Sequence, residues 1–324
     1  MPIRRRRFLH LAGAALAMPA VLPRAAWALD YPARPVRILV GYSAGGVSDI
    51  LARLLAQKLS DRLGQPFVVE DRPGAASNVA ADAVVHAPPD GYTLFLAGIS
   101  NAINAAIYKD LDFSFARDVA PVGLISRSPL VMQVSASFPA KTVPEFIAYA
   151  KAHPGTLNMA SAGTGDATHV AGELFQMMTG IKMLHVPYRG SPPAIADVLA
   201  GREQVMFDNV AASIALIRAG KLRALAVSSK TDALPGVPPI SDFLPGYEAY
   251  VWNGIVAPKN TPAEIVAKLN AAINAVVADP QYKTALDHMG NTAASDTPEE
   301  FGKLIAADTA KWAKVVQFAG IKAE

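Results

Sequence analysis

The sequence predicts a two-lobed α/β protein built on mostly parallel sheets. Three observations predict it. Strand-like and helix-like segments alternate along the chain after residue 35. Two glycine-rich turns, Ala44-Gly45-Gly46 and Gly163-Thr164-Gly165, each join a strand-like run to a helix-like one. The 324 residues, 52% hydrophobic and 18% charged, suffice for two halves of ordinary globular composition.

The first stretch stands apart. Arg4-Arg5-Arg6-Arg7-Phe8-Leu9-His10 is a charged leader, Leu11 to Leu22 is a short Ala-rich apolar run, and Ala26-Trp27-Ala28 is a small-x-small cleavage site before Leu29. The run is shorter than the about 20 apolar residues that span a bilayer. Arg5-Arg6 followed by x-Phe-Leu resembles a twin-arginine signal, and Arg24 near the cleavage site agrees with it. An ordinary Sec leader is the alternative. Either predicts export to the periplasm with the signal cleaved after Ala28. Without Arg4, Arg5, Arg6, Arg7 and Arg24, 25 basic residues face 27 acidic ones, a net charge of −2. The basic balance therefore belongs to the leader and not to a nucleic-acid surface. The chain has no cysteine, which excludes disulfides, thiolate metal sites and a lipid-bearing cysteine.

The elements follow in order. Val36 to Val40 is a short apolar strand. Ile50, Leu51, Leu54, Leu55, Leu59 and Leu63 repeat at helical spacing, and Gly64 stops that helix. Phe67 to Glu70, Tyr92 to Ala97, Leu222 to Val227 and Gly254 to Ala257 read as further strands. Capping boxes at Thr142 to Glu145, Thr261 to Glu264 and Thr297 to Glu300 predict three helix starts. Pro235, Pro238, Pro239 and Pro245 mark a long connection or wrapped surface loop.

Gly41-Tyr42-Ser43-Ala44-Gly45 matches G-x-S-x-G after a strand and before a helix, the elbow pattern of α/β-hydrolases. That elbow normally follows several strands, and here only about a dozen mature residues precede it. Asp208 and His288 would complete a triad in the right chain order, but nothing in their spacing selects them. The same segment also reads as an anion cradle, in which glycines let backbone N–H groups approach a ligand at a helix N-terminus. A purely structural tight turn is the plain alternative. Ser161-Ala162-Gly163-Thr164-Gly165-Asp166 is a second segment of this type. Two such turns, each at the carboxyl edge of its own sheet, would face each other as a clamp. Neither is a phosphate loop or a dinucleotide fingerprint, so no cofactor is expected. His169 and Glu173, four apart, could ligate a metal, but no third ligand is evident and none is expected.

At this point the residues resemble the Bug family, the periplasmic substrate-binding components associated with tripartite tricarboxylate transporters. The resemblance rests on Ala44-Gly45-Gly46-Val47-Ser48-Asp49, Asp71-Arg72-Pro73-Gly74-Ala75, Pro89-Asp90-Gly91-Tyr92-Thr93-Leu94 and Ala160-Ser161-Ala162-Gly163-Thr164-Gly165. It continues through His169 to Phe175, His185-Val186-Pro187-Tyr188-Arg189-Gly190, Met206-Phe207-Asp208-Asn209 and Trp252-Asn253-Gly254. It covers nearly the whole mature chain in family order. It implies a two-lobed "Venus flytrap" fold of the periplasmic-binding-protein type II-like class, with a mixed, mostly parallel sheet in each lobe. Residues 29–126 plus 250–324 would form one lobe and 127–249 the other, with crossings at Ser126-Arg127-Ser128 and Tyr250-Val251-Trp252.

The resemblance further implies a non-enzymatic binding protein for a small organic acid or amino-acid-like ligand, held mainly by backbone amides and water at the two glycine turns. It would be a monomer that delivers the ligand to a membrane permease of the tripartite type or senses it, with no nucleic-acid partner. The site residues it carries over are Ala44, Gly45, Gly46, Ser48 and Asp49 in one lobe. In the other they are Ser161, Gly163, Thr164, Gly165, His169, Tyr188 and Asp208. Two departures bear on the ligand. Gly41-Tyr42-Ser43 stands where the family usually has a Pro-Phe-Pro-like segment. Asp166 stands where it more often has Ser or Thr. As a helix N-cap Asp166 would occupy amide donors, and as a cleft residue it would repel a second carboxylate. Both readings disfavour citrate-like ligands.

Overall fold

Four of the five residues of β1 (Val36–Val40) are fully buried. A strand covered on both faces reads as a continuous apolar run and belongs inside a parallel sheet. The computed structural model, which describes residues 30–323, sets β1 between β2 (Phe67–Asp71) and β3 (Thr93–Gly98), parallel to both. The export leader therefore lies outside the described residues. Each strand runs into a helix: α1 (Val47–Leu63), α2 (Asn78–Val85) and α3 (Ile99–Ile107). In α1, Leu51, Leu55 and Leu59 are buried, and Gly64 at φ +73° ends the helix. The short α4 (Phe115–Asp118) then leads into β4 (Val119–Ser135).

Beyond β4 come α5 (Val143–Ala152), β5 (Asn158–Ser161), α6 (Ala167–Thr179), β6 (Leu184–Pro187), α7 (Ser191–Leu199), β7 (Val205–Asn209), α8 (Val210–Arg218) and β8 (Leu222–Val227). β5 lies parallel between β6 and β7, while β7 and β8 run antiparallel to the second half of β4. The proline-rich segment folds back onto this sheet: the Val227 N–H donates to Pro238 O, and Leu234, Ile240 and Tyr247 are buried. Last come β9 (Tyr250–Pro258), α9 (Ala263–Val277), α10 (Pro280–His288), β10 (Thr292–Ala293) and α11 (Pro298–Ala319). β9 is antiparallel to β3 and to the first half of β4. The ladder order is β2-β1-β3-β9-β4-β7-β5-β6, with β8 and β10 also paired to β4. Two mixed α/β sheets thus share one strand. The changeover from β9 to β7 as partner of β4 falls between Pro129 and Leu130.

β4 is the element that sequence periodicity does not announce. It is buried almost throughout, so it shows no alternation, and it contains Pro121, Gly123 and Pro129. The register shifts between Pro121 and Gly123 and again between Leu124 and Ser126, and such bulges tolerate residues that an even ladder rejects. The expected caps differ in outcome. Thr297 and Glu300 form the full reciprocal box. The Glu145 N–H donates to Thr142 Oγ1, but Glu145 Oε2 accepts from the Lys141 N–H instead of Thr142. Thr261 does not cap, because its hydroxyl donates to Pro258 O at 2.7 Å and α9 starts two residues on.

The two strands that run through the junction are held from one side by α11. Trp252 Nε1 donates to Asp308 Oδ2 at 2.7 Å, and Lys311 Nζ lies 2.7 Å from Asp308 Oδ1. Phe301 packs so closely on Gly254 that no side chain would fit there. α11 touches α3 on one side of the junction and α6 on the other.

Candidate functional site

In the first half of the molecule the chain leaves β1 through Gly41 to Gly46. Gly41 packs against Ser77 with no space for a Cβ, which explains a glycine at that point. Gly45 sits at φ +80°, a conformation glycine adopts without penalty. Its N–H donates to Asp49 Oδ2 at 2.7 Å. The buried Asp49 also faces Arg53 Nε at 2.6 Å, and Arg53 reaches on to Asp71 at 2.9 Å. Asp49 is therefore the anchor of this turn. Gly46 is the N-cap of α1, Ser48 is half-buried in its first turn, and Ala44, Gly45 and Gly46 are exposed.

The second turn repeats the device. Gly165, at φ +75°, donates its N–H to His169 Nδ1 at 3.0 Å, again four residues ahead. Nδ1 is thereby an acceptor, so a neutral ring carries its proton on Nε2, 3.5 Å from Glu173 Oε1. His169 is buried and stacked on His185, ring centroids 3.4 Å apart. Burial, followed by the neighbouring His169, pushes the His185 pKa down to about 3, so that ring stays neutral. His185 Nε2 lies 2.7 Å from the hydroxyl of buried Ser161, which also accepts from the Gly163 N–H at 3.3 Å. Asp166 is the N-cap of α6: its Oδ1 accepts from the His169 N–H at 2.9 Å and from the Thr168 hydroxyl at 2.7 Å. Desolvation nevertheless raises its pKa, against the lowering pull of those two bonds.

The segment after β6 braces this turn from behind, and Asp208 in turn fastens the start of α7. The Tyr188 and Gly190 N–H groups donate to Ser161 O and Ala162 O. The Tyr188 hydroxyl lies 2.7 Å from Asp197 and 3.0 Å from Glu203. Asp208 is fully buried and accepts from the Ser191 hydroxyl at 2.6 Å, the Asn209 N–H at 2.8 Å and, weakly, Ser213. Burial raises its pKa to about 6, in spite of the bonds from Ser191 and Asn209.

A third segment completes the arrangement. Ala75, Ala76 and Ser77 have φ of +45°, +51° and +79°, an uncommon run for residues with a Cβ. Asn104 of α3 holds it: its Nδ2 donates to Ala76 O at 2.7 Å and lies 3.2 Å from Asn78 Oδ1. The Gly98 N–H, at the start of α3, donates to Asn101 Oδ1.

Between these turns lies a cleft of about 250 Å³. One wall comes from Tyr42, Ala76, Ser100 and Asn104, the other from Thr164, Gly165 and Asp166. Ile107, Tyr108, Lys322 and Ala323 close one end. Of the twelve residues carried over from the sequence, Thr164 and Gly165 line this cavity. Ala44, Gly45, Gly46 and Ser48 belong to the exposed turn beside Tyr42. Asp49, Ser161, Gly163, His169 and Tyr188 hold the two turns in shape from within, while Asp208 bonds Ser191 at the start of α7 and lies outside both turns. Sequence reasoning missed Ala76, Ser100, Asn104, Ile107, Tyr108 and Lys322 as cleft residues. Ser100 and Asn104 did leave a signal, since both are polar residues inside the apolar run Ile99 to Ile107.

The hydrolase alternative finds no triad. The Asp208 carboxylate is engaged by Ser191, Asn209 and Ser213 and by no histidine. His288 lines a different crevice, beside Lys230 and Asp232. The metal alternative at His169 and Glu173 meets an obstacle as well, because His169 Nδ1 is already an acceptor for Gly165. Among the described residues the three-residue ligand set that does come together, Asp82, His86 and Asp112, is wholly exposed.

Comparison with known proteins agrees with this architecture. A family model described as tripartite tricarboxylate transporter family receptor matches residues 51–321. Protein BugT of Bordetella pertussis is 35% identical over 297 residues, 90% of this chain and 91% of BugT. The structure of Rpa4515 of R. palustris with adipate superposes with a TM-score of 0.74 at 36% identity, covering 90% of this chain and 99% of that one. MatC (Rpa3494) of Rhodopseudomonas palustris with bound malate gives a TM-score of 0.70 at 30% identity, over 88% and 100% of the two chains.

Proposed function

Because the chain belongs to the tripartite tricarboxylate transporter family of receptors, we propose that its cleft captures a small carboxylate-bearing metabolite between two lobes. It is a two-lobed α/β solute-binding protein of the periplasmic type and not an enzyme. The observation that carries the reading is the cavity itself. It is walled by strand-to-helix turns from both sheets, where open α/β folds receive ligands, and the hydroxyls of Ser100 and Thr164 line it. Relatives with adipate and with malate support a carboxylate as the ligand.

The twelve carried-over residues divide by role in this reading. Ala44, Gly45, Gly46, Ser48, Thr164 and Gly165 shape the cleft walls and rim. Asp49, Ser161, Gly163, His169 and Tyr188 position them, and Asp208 holds the start of α7 behind the second turn. The lobes would comprise 29–126 plus 250–324 and 127–249, with β4 and β9 as the crossings. The protein would work as a monomer that hands its ligand to a membrane permease or a sensor. It would reach the periplasm on a twin-arginine signal removed after Ala28, so that N-terminal sequencing of the exported protein starts at Leu29. The decisive experiment is mass spectrometry of small molecules released on denaturation, followed by calorimetry with those compounds, adipate and malate. The expected result is one-to-one binding of an organic acid, lost when Thr164→Trp fills the cleft. Binding untouched by that substitution would remove the cleft from the reading.

A further inference from the structure

Asp166 holds two positions at once: it caps α6, and it lines the cleft. Both capping bonds fall on one oxygen, since Oδ1 accepts from the His169 N–H and from the Thr168 hydroxyl. Oδ2 takes neither bond and is not sealed in the interior, so it is left open on the cleft side. The cap fixes the charge as well as the position, because a helix N-terminus and two donated hydrogen bonds favour the ionised carboxylate. Besides burial, the groups that act on its titration are Thr168 and His169 of its own helix, with no lysine or arginine among them. Lys322 lines the same cleft but is exposed. Across the cavity, burial and, behind it, the charge of Asp166 raise the pKa of Tyr42, so the carboxylate makes itself felt on the facing wall.

A ligand that fills a cleft of about 250 Å³ strips the remaining water from that open oxygen. An ionised carboxylate left dry without a partner is costly, and a second carboxylate beside it is costlier still. A ligand hydroxyl would supply one hydrogen bond. An ammonium group supplies hydrogen bonds and the opposite charge together. On the reading of the cleft as a carboxylate site, we propose that Asp166 is its cation-recognising residue and that the ligand is a zwitterion, a small monocarboxylate whose ammonium group pairs with Asp166 Oδ2 while its carboxylate points away from α6.

The test is calorimetry on the full-length exported protein with alanine, β-alanine and 4-aminobutyrate, which differ in the spacing of their charges. They are set against the plain acids propionate and butyrate and against the diacids succinate and glutarate. At the best spacing the amino acid should bind about ten- to hundredfold tighter than its plain acid, the effect of a hydrogen bond between charged groups in a dry site. Asp166→Asn and, independently, Asp166→Ser retain a good N-cap. Each should lose most of that advantage and at the same time bind succinate and glutarate more tightly. The opposite signs separate recognition from structure, because a distorted helix start would weaken both series together. Amino acids no tighter than their plain acids at every spacing would overturn the proposal and leave the cleft reading intact. So would an advantage that survives both substitutions, a fall of both series in both variants, or diacids ahead of amino acids in the unmodified protein. Failure of every compound to bind would sink the cleft reading as well.

Discussion

Asp208 offers the sharpest quantitative test of the framework behind the second turn. Its carboxyl is fully buried at the end of β7 and titrates at about 6. In the unfolded chain an aspartate titrates near 3.9. Between those values the native state holds a proton that the unfolded state has released, so stability falls as pH rises across that window. The difference of about two pH units, at ~1.36 kcal/mol each, sets a penalty of up to about 3 kcal/mol above pH 6. Asp208→Asn removes the titration while keeping the shape. The amide oxygen still accepts from Ser191 and the Asn209 N–H, and the amide N–H₂ faces Ser213 as a donor. Urea unfolding of both proteins from pH 4 to pH 8 gives the difference curve. It should lie near zero at pH 4 and rise to favour the variant by about 1–3 kcal/mol at pH 7. Using the difference matters, because other carboxylates move the total curve. Asp118, held well below the usual range by Arg117, contributes with the opposite sign in wild type and variant alike. A difference that is constant with pH, or a variant less stable throughout, would refute the reasoning.

Three further outcomes are expected. Citrate should bind weakly or not at all in calorimetry, and Asp166→Ser should strengthen dicarboxylate binding several-fold, since serine also caps helices but carries no charge toward the cleft. Ala76→Gly should stabilise the protein by about 0.5–1 kcal/mol in urea unfolding, because relief of a left-handed residue at ~1–2 kcal/mol outweighs the extra chain entropy of glycine. A destabilised glycine variant would mean that the Asn104 bond, and not backbone conformation, decides that loop.

Much of the fold was legible because short-range rules govern it. Leu51, Leu55 and Leu59 mark the buried face of α1 and Gly64 its end, so periodicity and one glycine suffice. Asp166 was legible as a cap from its place before α6. β4 was not, since a strand buried on both faces has no alternation and Pro121 and Pro129 read as breaks. Cleft residues from far apart in the chain were the least legible. Ala76, Ile107 and Lys322 meet because three elements end at one edge, and no local pattern in the sequence records that. His169 illustrates the reverse limit. Its position in the motif suggested a ligand contact, whereas Nδ1 points back to the Gly165 N–H.

That last contact changes what the glycine turns do. The family resemblance implied turns whose free amides hold the ligand. In both halves the amide of the left-handed glycine is already engaged by a side chain four residues ahead: Gly45 by Asp49, and Gly165 by His169. The Gly163 amide is engaged by Ser161 as well. These amides are therefore unavailable as primary donors. The glycines matter for shape, because φ near +80° turns the chain sharply enough to bring Tyr42 and Thr164 to the cleft. The two turns also differ electrostatically. In the first the acceptor is a carboxylate compensated by Arg53, and in the second it is an imidazole beside the capping Asp166. The second half thus brings a negative charge to the cleft and the first brings hydroxyl and amide groups. Under the proposed reading, binding selectivity would follow from that asymmetry. On that reading a ligand's anionic end would be better placed toward Ser100 and Lys322 than toward α6.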